Sequence, residues 1–181
     1  MGTAIKKAPE CSNVNNYKRR LNPVWHRTLV QAFISCRLDY CNCLLYGVID
    51  NVMRRVQSLQ NAAARLITGA RRRDDITPVL CQLHWLPVRR RVEFKLACLV
   101  RQALCGQMPI YLVDYIHLVS ESNRRSLRSS SDNMCAVPRT HNGFGDKTFG
   151  AVGPRIWNSL PRGLRTLDIN YKHYKTLLKY I

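Results

Sequence analysis

Apolar positions recur at helical spacing over most of the chain, and polar residues fill the faces between them. Across 26–46, Leu29, Ala32, Phe33, Cys36, Tyr40, Cys43 and Leu44 fall on one side of a helix that Gly47 closes. Asn51 is placed to cap a second helix. In it Val52, Val56, Leu59, Ala63 and Leu66 predict a core stripe, with Arg54, Arg55, Gln57, Ser58, Asn61 and Arg65 off it. Gly69 ends this helix, and the run Arg71–Arg73 follows as an exposed basic stretch. Thr77 before Pro78 reads as a cap and a first-turn proline for a short helix to about Leu83. Pro87 opens a longer helix whose inner face is Val88, Val92, Leu96, Leu99 and Ala103, ending at Gly106. Pro109 starts a short one with Leu112, Tyr115 and Ile116.

Periodicity is lost over 120–145, where Ser, Asn, Arg, Asp and Gly dominate. Ser126–Arg128 and Met134–Val137 are the candidate halves of a small hairpin. A helix over 146–159 carries Phe149, Val152, Ile156 and Trp157, with Gly153 and Pro154 placed to kink or split it. Pro161 and Gly163 mark a turn, and a last helix over 170–181 carries Tyr174, Leu177, Leu178 and Ile181. The expected fold is mainly α, with a single helical core and a small irregular or β-hairpin segment. Its parts are a loose N-terminal segment (1–22), a helical core (23–119), the irregular or hairpin segment (120–145) and a C-terminal helical segment (146–181).

Charge changes the picture most. The 181 residues hold 29 Lys and Arg against 11 Asp and Glu, a formal net charge of +18. The excess is spread evenly along the chain, and Arg outnumbers Lys 21 to 8. Guanidinium is the better bidentate partner for phosphate, and so basic a chain repels itself when compact. A polyanion, RNA or an RNA–DNA hybrid held by its phosphates, is therefore the expected partner; the alternative is a basic composition inherited from a larger protein that balances it. Arg89, Arg90 and Arg91 sharpen the point. They crowd the first turn of a helix, where cations oppose the dipole, so a group outside the helix is expected to accept them. The other reading is a solvated face.

Other classes are disfavoured. The longest apolar run, Leu96–Val100, is far short of the ~20 residues a bilayer requires. Met1–Lys7 has no apolar stretch after it and does not read as a secretory leader. An intracellular site, nuclear or cytoplasmic, is the expectation, with eight cysteines as free thiols. Cys36, Cys41 and Cys43 cluster, and Cys81 stands three before His84, but the second close pair of a zinc site is missing. No metal or other cofactor is expected. Asp74 and Asp75 read as a loop neutralising nearby arginines rather than a metal pair, and the histidines at 26, 84, 117, 141 and 173 share no helix face. Trp85 and Trp157, each close to a Leu-Pro, read as core anchors rather than base-stacking platforms.

Four phrases carry a family resemblance: SCRLDYCNCLLYGV (35–48), RVQSLQNAAARLITGARRRDDITPVLCQLHWLPVRRRVEFKL (55–96), RSLRSSSDNMCAVPRT (125–140) and FGDKTFGAVGPRIWNSLPRGLR (144–165). From about residue 14 onward the chain resembles the C-terminal stretch of reverse transcriptase polyproteins from LINE-type (non-LTR) retrotransposons of the jockey-like group. The resemblance implies a position downstream of the catalytic palm, with 23–119 as a thumb-like core that grips a template–primer duplex by its backbone. It implies that the palm, its aromatic-Ala-Asp-Asp metal motif and the endonuclease are absent here, as in a truncated copy, so no catalytic residue carries over. The expectation is thus a non-enzymatic binding module using Arg54, Arg55, Arg71, Arg72, Arg73, Arg89, Arg90 and Arg91. The alternative is a structural remnant whose basic surface once faced the missing reverse transcriptase domains. Clustering of the three arginine groups on one face favours binding, and scatter favours the remnant.

Overall fold

The structure, a computed structural model, describes residues 23–121 and 133–180. The expected loose segment 1–22 and one candidate hairpin half, Ser126–Arg128, lie outside them. In chain order the helices are α1 (Pro23–Val30), running through a π-helical turn (Gln31–Ser35) into α2 (Cys36–Asp39), then α3 (Asp50–Thr68), α4 (Ile76–Gln82), α5 (Val88–Leu104), α6 (Ile110–Val113), α7 (Phe149–Ser159) and α8 (Tyr171–Leu178). Turns of 3-10 helix occur at Asn42–Leu45, Val119–Glu121, Gly145–Lys147 and Arg162–Leu164. The fold is mainly α. The β content among the described residues is one antiparallel bridge, Leu118 to Cys135. Met134–Ala136 therefore pair with 117–119, through Val119 N–H to Met134 O and Ala136 N–H to His117 O, both 2.8 Å. Asn158 of α7 holds that bridge, its amide accepting from and donating to the Cys135 backbone at 2.8 Å each way.

The core is built around α5. Val92, Leu96, Val100 and Ala103 pack with Val152, Ile156 and Trp157 of α7 and with Tyr174 and Leu178 of α8. Trp157 is wholly buried, and its indole N–H donates to Asn133 O at 2.8 Å, which satisfies the polar end of the ring. Pro154 does not split α7, which runs unbroken around it. The cost is one helical hydrogen bond, for the carbonyl of Gly150. Gly153 has a different use. A Cβ there would meet Val100 Cγ2 at 2.9 Å, so its missing side chain is what lets α7 lie so close to α5.

Arg101, 3% exposed, lies under this core. Its guanidinium stacks 4.5 Å from the Tyr174 ring centroid. It donates to the carbonyls of Thr166 at 3.2 Å, Leu167 at 3.1 Å and Ile169. Carbonyl dipoles and a ring face thus stand in for a counter-carboxylate. A second, smaller cluster joins Ala64 of α3 to Leu80 and Leu83, with Trp85 packed against it.

Several local expectations are revised. The helix expected over 26–46 breaks after Asp39, because Tyr40 is extended and Cys41 left-handed at φ 49°. Asn51 is not a cap; Ile49 holds that position without a side-chain bond. Asp75, not Thr77, caps α4, accepting from the Thr77 N–H at 3.1 Å. The largest revision concerns the first two apolar faces. Phe33, Tyr40 and Leu44 are exposed by 71, 79 and 76%, and Val52, Leu59 and Leu66 by 43, 62 and 46%. Of the expected α3 stripe Ala63 is buried and Val56 half-buried, and the rest of the side that packs inward is Met53, Gln60 and Ala64.

Candidate nucleic-acid interface

The three predicted arginine groups meet different fates. Arg54 and Arg55 stand exposed on α3. Arg54 lies one turn beyond Asp50, and Asp50 is ion-paired with Arg89 of α5, so Arg54 and Arg89 share one side of the molecule. The α3–α5 contact is fixed by two glutamines. Gln57 Oε1 accepts from the Val88 N–H, and Gln60 Nε2 donates to Leu86 O, both at 2.8 Å.

The cations crowding the start of α5 are each matched by a carboxylate. Arg89 pairs with Asp50, Arg90 with Glu93 at 3.3 Å, and Arg91 with Asp39 at 2.8 Å. Two of these acids come from outside the helix, so the expected external acceptor exists, and in this structure it is the chain itself. Arg89 and Arg90 keep more than half of their side-chain surface in water; Arg91 keeps 13%.

Arg71, Arg72 and Arg73 are exposed in the loop after α3. They lie at its far end, roughly 20 Å from Arg54 at 1.5 Å per residue. Asp74 accepts the Arg71 backbone N–H at 2.7 Å and its carbonyl receives Arg65. With Asp75 occupied as a cap, both acids of the pair shape the loop backbone. No carboxylate among the described residues pairs with Arg54, Arg55, Arg71, Arg72 or Arg73.

Packing also brings cations from outside the arginine runs beside Arg90 and Arg91. The first turns of α5, the segment after the Asn42–Leu45 turn, the end of α7 and the end of α8 enclose a groove of about 550 Å³. Its floor includes Leu86, Phe94, Ile156 and Leu160, and Arg90, Arg155 and Lys179 stand on its rim with one acid, Glu93. A neighbouring hollow of about 360 Å³ shares Leu86, Phe94 and Lys179 with it and adds Lys95 and Arg91, the latter with its partner Asp39. Arg155 pairs with Asp146 at 2.6 Å. The hydroxyl of Thr140 and then Arg155 hold the Asp146 carboxyl below its ordinary value. Arg155 is the single charge in the otherwise uncharged α7, a signal a sequence reading has available. Lys95 and Lys179 carry no such mark.

Among the described residues no group of three His, Cys, Asp or Glu is placed to hold a metal ion, and no helix is long and apolar enough to cross a membrane. Cys36, Cys41 and Cys81 are exposed, and Cys43 half-buried. Burial pushes the Cys98 thiol up and the Cys135 thiol to about 12, so neither is a ready nucleophile. Of the tryptophans expected as anchors, Trp157 is fully buried and Trp85 packs on the smaller cluster. The chain matches no protein-family model, no curated protein and no solved structure.

Proposed function

We propose that the chain is a non-catalytic nucleic-acid-binding module, a thumb-and-tail piece of the reverse transcriptase type it resembles, holding RNA or an RNA–DNA hybrid by its phosphates. The observation that carries this reading is the set Arg54, Arg55, Arg71, Arg72 and Arg73. These are five exposed guanidiniums with no carboxylate partner among the described residues. An unpaired surface arginine gains more from a phosphate than one that must first leave an acid. Arg89 and Arg90 are well hydrated and form a second tier, able to exchange their carboxylates for phosphates.

A second reading is a remnant with no independent activity. Two observations favour it. Arg89, Arg90 and Arg91 are all neutralised internally, and Arg71–Arg73 are separated from Arg54 by most of the length of α3.

Titration of the full chain with a short RNA–DNA hybrid at several salt concentrations separates the two. With about six phosphate contacts, affinity falls about 10³-fold between 50 and 200 mM salt. Replacing Arg71, Arg72 and Arg73 together by Ala lowers the salt slope by about two to three. A chain that is helical by circular dichroism yet ignores the hybrid at low salt leaves only the remnant reading.

A further inference from the structure

Helix α3 carries two apolar faces, and only one is used. Met53, Gln60, Ala63 and Ala64 face inward, whereas Val52, Leu59 and Leu66, seven residues apart along the edge of that packed face, are exposed. Between them, three residues on from Val52 and Leu59, stand Arg55 and Ala62, both exposed. Val52, Arg55, Leu59, Ala62 and Leu66 therefore form a seam with the 3-4 spacing by which one helix receives another. The seam is narrow and straight, about 21 Å from Val52 to Leu66.

Charge identifies the occupant. Arg55 lies within the seam, while the one acid of α3, Asp50, is already paired with Arg89. A second copy of this chain would bring another Arg55 into the same dry interface with no acid to meet it, and each copy carries a net +18. A helix bearing apolar residues at the same spacing and a carboxylate opposite Arg55 satisfies both the apolar stripe and the cation. We propose that the Val52–Leu59–Leu66 seam of α3 docks one acidic amphipathic helix of a partner protein, with a partner carboxylate on Arg55. Arg55 also belongs to the proposed phosphate-binding set, so a docked helix and a nucleic acid would compete for it, whereas Arg71, Arg72 and Arg73 stay available to phosphate.

The test uses the full chain and three labelled peptides of about three heptads. One has Leu at its seam positions and Glu at its edges, with one Glu placed to face Arg55. The second is a scramble of the same composition, and the third replaces every Glu by Lys. The expected result is binding of the first peptide with roughly tenfold or greater preference over its scramble. Leu59→Asp, on the exposed face, should abolish that preference without loss of helical signal. Arg55→Glu should move the preference toward the Lys peptide. Equal binding of the acidic peptide and its scramble means charge attraction without a seam, and overturns the proposal. So does binding indifferent to Leu59→Asp. Sedimentation showing a dimer that Leu59→Asp dissolves overturns it in favour of a second copy. Leu59-dependent capture on anionic vesicles with no peptide preference overturns it in favour of a lipid surface.

Discussion

Helices α3 and α5 are similar in length and both carry arginines, three and four respectively, yet their apolar faces end in opposite places. On α5 the expected inner residues Val88, Val92, Leu96 and Ala103 are buried and Leu99 is half-buried. On α3 three of the five expected stripe residues, Val52, Leu59 and Leu66, are in water while Val56 is half-buried and Ala63 buried, and the neighbouring face with two glutamines is packed. The difference lies in what each helix meets. Helix α5 is covered by α7 and α8, whose Trp157 and Tyr174 fill space only long apolar side chains can line. Helix α3 lies against the turn at Pro87, where the backbone presents a carbonyl at Leu86 and an N–H at Val88. Gln57 and Gln60 answer those two groups, so the polar side wins the inward position. Leaving that carbonyl and N–H buried without partners would cost about 1–3 kcal/mol each, as much as burying a leucine returns.

The largest expected effect breaks this comparison at its stronger side. Trp157→Ala removes a fully buried ring and orphans the Asn133 carbonyl, and should cost about 3–5 kcal/mol in urea unfolding. Leu59→Ser, on the exposed stripe, should change stability by no more than about 0.5 kcal/mol. Similar losses for both would mean that the α3 stripe is packed after all.

Next in size is Gln60→Leu. Hydrophobic bookkeeping predicts a gain, since a wholly buried polar residue becomes apolar. The hydrogen bond to Leu86 O predicts a loss of about 1–3 kcal/mol, because the carbonyl is left unsatisfied. The urea midpoint decides between them, and an unchanged or raised midpoint would show that polar stitching does not select the face of α3.

Much of the fold was legible from local signals. Pro87, Gly69, Gly106 and Pro109 marked helix ends, and each governs its own backbone whatever packs around it. Trp157 was legible as an anchor because a ring beside a Leu-Pro turn has few other uses. The choice between two faces of α3 was not, because it depends on the backbone of residues 86–88, some 30 positions away. The break after Asp39 was equally hidden, since Cys41 adopts a left-handed conformation that its residue type disfavours. At the candidate interface the arginine runs were plain in the sequence. The partners of Arg91 and Arg89 were not, because Asp39 and Asp50 reach them only once α2, α3 and α5 have assembled; Glu93, three residues after Arg90 on the same helix, was in view.

The smallest effect concerns what fastens 140–147 to the strong side. Asp146 accepts from the Thr140 hydroxyl at 2.5 Å and from Arg155 of α7 at 2.6 Å, and these hold its pKa below the ordinary 3.8. A carboxylate depressed in the folded state stabilises it above the unfolded value, and that contribution fades as pH falls through the folded value. Wild type should therefore exceed Asp146→Asn in urea midpoint near neutral pH, with the two curves converging as the pH drops below 3.8. Because Asp146 is well hydrated the gap is small, and 0.5 M salt should narrow it further by screening Arg155. A gap that ignores pH would assign the loss to the geometry of the amide rather than to the charge, and would leave Thr140 as the contact that matters.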